Sequence, residues 1–198
     1  VLEAMARAVV YDRTAPLVIG VDVARFGDDD SVICVRFGSD ARSWPARRFN
    51  GLDTVALVGK VIEVVRDFRA VGREPAMIFV DGGGVGGGVV DQLRALGYNV
   101  TEVNFGGSPT DKTTYRYKAD EMWCRMKKAI ADRLCLPTAQ DANSGPLKDQ
   151  LTQREFGYTL KQQINLESKK DMKERGISSP DIADALALTY AEEVNAVT

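Results

Sequence analysis

The sequence contains no histidine. That excludes, within this chain, Ser-His-Asp hydrolysis, Cys-His proteolysis, H-E-x-x-H zinc chemistry and an imidazole general base, and it leaves acid, base and metal chemistry to carboxylates. Cysteine is scarce. Cys34, Cys124 and Cys135 are odd in number and show no C-x-x-C spacing, which argues against a zinc knuckle or a disulfide framework and for a reducing compartment. No apolar run approaches the length needed to cross a bilayer, so no membrane partner is expected. Neither sign of charge dominates: 26 Lys and Arg stand against 28 Asp and Glu. Any attraction to nucleic acid must therefore come from local clusters of Lys and Arg. The chain opens Val1-Leu2-Glu3, without a methionine and without the basic, apolar, small-residue order of a secretory signal, and reads as a piece of a longer protein.

What is present suits one domain. A chain of 198 residues buries a single substantial core. Residues 1–15 form a polar, alanine-rich lead-in with a possible helical turn, and Pro16 opens the domain proper, 16–198. "LVIGVDVA" from Leu17 and "SVICVRFG" from Ser31 are β-branched runs flanking the turn chemistry of "RFGDDD", which predicts a hairpin. A third strand is expected around Trp44 to Phe49. Asp53 or Thr54 then caps a helix in which Val55, Leu57, Val58, Val61, Ile62, Val65 and Phe68 recur at helical spacing, before Gly72 and Pro75 end it. "AMIFVD" is a fourth strand, a helix follows from about Val85 to Leu96, and "YNVTEVNF" is a fifth strand, so a right-handed crossover joins a parallel pair. The expected fold is α/β: an antiparallel meander followed by parallel β-α-β strands in one mixed sheet flanked by helices. Beyond it, "YRYKADEMWCRMKKAI" is an amphipathic helix with Met122, Trp123, Met126 and Ile130 inward. A loop punctuated by Pro and Gly follows, then a hairpin of "REFGYTL" and "QQINLES", then a last helix from Asp181 to about Val194.

Gly82, Gly84 and Gly87 satisfy G-x-G-x-x-G. The dinucleotide reading requires that motif in the first β-α turn of the fold, whereas here a strand hairpin precedes it, although Glu102 lies about twenty residues on as that fingerprint asks. A phosphate-binding P-loop is excluded because no G-K-[ST] closes the run. The glycines are read as tight turns and close helix-to-strand approach. Asp81, standing directly before them, then needs its own reason.

Asp22 interrupts an apolar strand and Asp81 ends another; such carboxylates are costly to bury unless paired, hydrogen-bonded or bound to a metal. Asp184 sits in the apolar helix "PDIADALALTYA", and Asp181 lies one turn earlier on the same face, where it also suits the helix dipole. Asp28, Asp29 and Asp30 read as a solvated turn, with Asp30 placed to fix the hairpin. If the first and fourth strands are neighbours and the last helix packs beside them, Asp22, Asp81 and Asp184 converge at one edge of the sheet. Bare carboxylates there would repel, and divalent cations remove the penalty. Oxygen ligands without His or Cys point to Mg²⁺ or Mn²⁺. Two such ions about 4 Å apart serve phosphodiester hydrolysis.

The stretches "VIGVDVARFGDDDSVI", "IFVDGGGVGGGVVDQL", "YKADEMWCRMKKAI" and "LESKKDMKERGISSPDIADALALT", in that order, resemble the nuclease domain of the large terminase subunit of tailed double-stranded DNA bacteriophages, in the RNase H-like or RuvC-like superfamily. The resemblance spans nearly the whole chain, and the last stretch is the most specific. It implies an RNase H-like fold and metal-dependent endonucleolytic cutting of concatemeric phage DNA during genome packaging, in the host cytoplasm. Asp22, Asp81 and Asp184 match the catalytic metal ligands, with Asp181 a fourth. Some relatives carry a histidine near the last aspartate, and this sequence has none. The implied partners are double-stranded DNA, an N-terminal ATPase domain of the same chain, the small terminase subunit and the portal. Contacts to DNA are expected from Lys169, Lys170, Lys173 and Arg175, and less from the helix cluster Arg116, Lys118, Arg125, Lys127 and Lys128; Lys169 is placed to approach the scissile phosphate. The rival readings are a RuvC-like junction resolvase, a nucleotide-binding domain of the actin and sugar-kinase type, and a structural packaging subunit with a degenerate site.

Overall fold

The computed structural model describes residues 1–24 and 29–195. The part of the expected turn at 25–28, Asp28 included, lies outside the described residues. The lead-in forms a short helix, α1 (Leu2–Ala6), whose Ala4 is fully buried in the core. The strands β1 (Leu17–Asp22) and β2 (Ser31–Phe37) pair antiparallel with Asp22 opposite Val32, and β3 (Arg47–Phe49) pairs antiparallel with β2. Asp30 ties this meander together by accepting from the Arg48 guanidinium at 2.7 and 3.0 Å.

The helix α2 (Thr54–Ala70) starts at Asp53, whose carboxylate accepts from the Ala56 amide at 2.7 Å. The chain returns as β4 (Met77–Asp81), parallel to β1, and after α3 (Gly86–Ala95) as β5 (Val100–Val103), parallel to β4. The sheet order is β3-β2-β1-β4-β5, the mixed arrangement expected from the sequence. Strand alternation divides the core in two. Ile19, Val21, Ile78 and Val80 pack under α2 and α3, whereas Val18 and Phe79 face the other side.

That second side is covered by α4 (Lys118–Asp132), α5 (Ser144–Gln153) and α7 (Asp181–Leu188). As expected, α4 buries Met122, Trp123, Met126 and Ile130. The hairpin of β6 (Phe156–Tyr158) and β7 (Ile164–Leu166) also forms where the sequence places it. A short helix, α6 (Lys169–Glu174), follows it, with the Ser168 hydroxyl accepting from the Asp171 amide at 3.1 Å.

Three features correct the sequence reading. The stretch read as a loop contains α5, because Pro146 lies in the first turn, where a missing N–H costs nothing. The short α6 was not foreseen at all. The last helix stops at Leu188 rather than near Val194: the Thr189 hydroxyl donates to the Leu186 carbonyl at 2.7 Å, and Arg36 donates to the Thr189 carbonyl at 2.6 Å. Among the described residues no helix is long and apolar enough to cross a membrane.

Candidate active site

Asp22 and Asp81 are the last residues of β1 and β4, which are parallel neighbours. Each lies an even number of positions from a residue facing α7, Val18 and Phe79 respectively, so alternation turns both carboxylates to that face. The close approach of α7 depends on Gly20, two residues before Asp22. A Cβ there would stand 2.1 Å from the Ala185 carbonyl oxygen. The glycine loop plays a similar part after β4: a Cβ on Gly86 would fall 1.7 Å from the carbonyl oxygen of Asp81, so only glycine lets α3 begin so close to it.

From α7, Asp184 is fully buried and Asp181 nearly so. Lys169, the first residue of α6, reaches into this group. Its Nζ stands 3.0 Å from Asp184 Oδ2 and 3.7 Å from both Asp22 Oδ2 and Asp181 Oδ1. The other oxygen of Asp184 accepts from Trp123 Nε1 at 2.8 Å and from Arg154 at 3.0 Å. Asp81 accepts from the Gly83 amide at 3.0 Å, and Asp181 from the Asp30 amide at 3.2 Å.

The electrostatics follow from burial and crowding. Burial pushes the Asp22 carboxyl well above the ordinary carboxylate range; Lys169 opposes the shift, and Asp184, Asp81 and Asp181 add to it. Asp81 is raised chiefly by burial, against the Gly83 amide and Lys169, with Asp184 and Glu102 reinforcing the shift. Burial also raises Asp181. For Lys169 burial favours the neutral amine, but Asp184, Asp22 and Asp181 outweigh it and hold the ammonium charged.

These residues suit a hard divalent cation. All donors are carboxylate oxygens, and Asp184 Oδ2 is buried without a hydrogen bond of good geometry, although the Lys169 ammonium pairs with it. Among the described residues no three Asp, Glu or Cys side chains are already gathered as ligands of one ion. The Lys169 ammonium stands among the carboxylates, and the donor chemistry, not the present separation, carries the fit.

A cleft of about 850 Å³ is lined by Asp81 and Lys169, by Phe105 and Tyr117, and by Phe156 of the hairpin. Arg116 also lines it, with its guanidinium 4.7 Å over the Tyr117 ring. The other basic residues singled out in the sequence are engaged or lie outside. Arg175 is gripped by Glu167 and Glu155, Lys118 pairs with buried Glu121, Lys173 meets Asp29 and exposed Lys170 meets Glu174. Sequence reasoning missed Arg154, Trp123 as a polar partner, and Glu102, whose side chain lies against Gly82. A lone arginine in "TQREFG" carries no motif, and Trp123 has the spacing of a core residue.

A sheet in this order, with carboxylates at the ends of adjacent parallel strands and a helix carrying two more, defines an RNase H-like α/β domain. Solved structures similar to it include nuclease domains of phage large terminase subunits. A mutant nuclease domain of the large terminase subunit gp2 of bacterial virus Sf6, with manganese and beta-thujaplicinol, superposes with a TM-score of 0.72 at 19% identity, over 91% of this chain and 90% of that one. The large terminase nuclease from thermophilic phage G20c with bound magnesium gives 0.60 at 20% identity, over 92% and 84%. No protein-family model matches the sequence, and no curated protein matches it.

Proposed function

We propose that this chain is the nuclease domain of a phage large terminase subunit, an endonuclease that cuts concatemeric double-stranded DNA with two divalent cations, Mg²⁺ or Mn²⁺. The observation that carries the reading is that Asp22, Asp181 and Asp184, from β1 and α7, surround one ammonium, with Asp81 at the end of the adjacent parallel strand β4. The nuclease domains of similar fold from Sf6 and G20c hold manganese and magnesium.

In this reading Asp22, Asp81 and Asp184 hold the cations, with Asp181 as a fourth ligand. When bound, the cations would activate a water and stabilise the leaving oxygen of the cleaved phosphodiester. Until then Lys169 offsets part of the carboxylates' charge. In this reading it would turn to the scissile phosphate once they are satisfied, which its 38% exposed side chain and its position in the cleft lining support. Arg116, which lines that cleft with Lys169 and Arg154, would serve the DNA backbone there, with Lys170, Lys173, Arg175 and Lys118 as supporting phosphate contacts. The partners in this reading are an ATPase domain, a small terminase subunit and a portal, acting in the host cytoplasm.

The test is supercoiled plasmid incubated with the purified domain in Mn²⁺, Mg²⁺ or EDTA, alongside Asp81→Asn. Nicking and linearisation in metal, absent in EDTA, are expected. The substitution should slow cleavage on the order of 100-fold or more, equivalent to losing roughly 3 kcal/mol of charge stabilisation. Intact plasmid with the folded parent in both metals would overturn the proposal.

A further inference from the structure

The two oxygens of Asp184 are treated unequally by the fold. A carboxylate oxygen offers about two lone-pair directions, and on Oδ1 two donors are in place: Trp123 Nε1 from α4 at 2.8 Å and Arg154 at 3.0 Å. Oδ2, also buried, has no hydrogen bond of good geometry among the described residues and pairs with the Lys169 ammonium at 3.0 Å. The donors on Oδ1 are themselves held. The Arg154 guanidinium lies 4.6 Å over the Trp123 ring, and its Nε donates to the Glu167 carbonyl at 3.1 Å, just beyond β7. Arg154 lines the cleft, but its side chain is only 6% exposed, against 38% for Lys169.

We propose that Arg154 and Trp123 are positioning residues that occupy Asp184 Oδ1 and so present Oδ2 alone, in one orientation, to a divalent cation. The inference rests on the metal-dependent reading above and adds how one ligand is aimed. The two cationic side chains on Asp184 then have separate tasks. Lys169, on the open oxygen and part-exposed, exchanges with the incoming ion. Arg154, on the occupied oxygen and held by the Trp123 ring and the Glu167 carbonyl, stays, and ties the base of the β6–β7 hairpin to the site. Partners that hold a ligating group from behind typically govern metal affinity nearly as much as the ligands do.

The test is Mn²⁺ binding by isothermal titration calorimetry to the parent, to Trp123→Phe, which keeps a ring but removes the N–H, and to Arg154→Lys, which keeps the charge but loses the fork. For variants that remain folded by circular dichroism and melt cooperatively in EDTA, the dissociation constant is expected to rise on the order of 10- to 100-fold. A merely structural role would change the melting temperature in EDTA and leave metal affinity alone. Folded variants that bind Mn²⁺ within about twofold of the parent would overturn the inference while leaving the metal reading intact. A parent that binds no Mn²⁺ would overturn the metal reading, and the inference with it.

If either variant fails to fold, the parent itself decides. Its two tryptophans give separate indole N–H signals, and Trp44 packs apart from the site against Phe37 and Phe68. On titration with Mg²⁺ the Trp123 indole signal should shift with saturation of the site while that of Trp44 stays. Binding with the Trp123 signal unmoved would count against the inference.

Discussion

At the scale of single residues, this site keeps several acids where water cannot easily solvate them. Asp22, Asp81 and Asp181 are pushed above the ordinary carboxylate range chiefly by burial; Asp184 adds to the shift of Asp22 and of Asp81, and Asp29 to that of Asp181. An acid whose folded pKa exceeds its unfolded value holds more protons when folded. Its contribution to stability is therefore full below the unfolded pKa and is lost as pH rises through the folded one. Lys169, also raised, loses its contribution only above the usual lysine range, outside that window. In EDTA, the melting temperature of the parent should fall relative to that of Asp22→Asn as pH rises from about 4 to about 9. Parallel pH profiles would show that Asp22 is not the costly acid its burial makes it. Because cations bind the ionised form, added Mg²⁺ should raise the parent's melting temperature more at the alkaline end of that range.

Two glycines decide, at the scale of elements, whether the carboxylates meet. Gly20 lets α7 lie on β1, and Gly86 lets α3 start against the Asp81 carbonyl. Gly20→Ala would press a methyl into the Ala185 carbonyl, and the strain should cost about 1–3 kcal/mol, read as a lower denaturant midpoint at unchanged slope. Plasmid cleavage should fall with it, because the displaced helix carries Asp181 and Asp184. Gly87→Ala is the matching control: it lies in α3, its added methyl meets nothing within 4 Å, and it should be neutral or stabilising by up to about 1 kcal/mol. A Gly20→Ala protein as stable and active as Gly87→Ala would contradict this account of the helix–sheet contact.

Across the whole molecule, the parts legible in the sequence are those where local pattern and tertiary role agree. Asp22 and Asp81 stood out because each is a charge in a run otherwise suited to a buried strand, and β1, β2, β4 and β5 formed where those runs lie. The helix α5 was hidden by Gly145 and Pro146 at its own first turn, and α6 by a charged stretch in which only Met172 is buried. The braces on Asp184 were invisible for a different reason. Trp123 and Arg154 lie 61 and 30 residues from it in sequence, and only the packing of α4 and the hairpin base against α7 makes them neighbours. Residue type announces a buried ligand, whereas its supports are announced only by the fold.

The central claim is that the carboxylates of β1, β4 and α7 form one centre for divalent cations. Anomalous diffraction from crystals of the domain soaked in Mn²⁺ tests it most directly. Anomalous peaks within coordination distance of Asp22, Asp81 and Asp184, with the Lys169 ammonium moved off Asp184 Oδ2, are the expected result. A saturating soak that leaves Lys169 in place and puts manganese elsewhere, or nowhere, would contradict it.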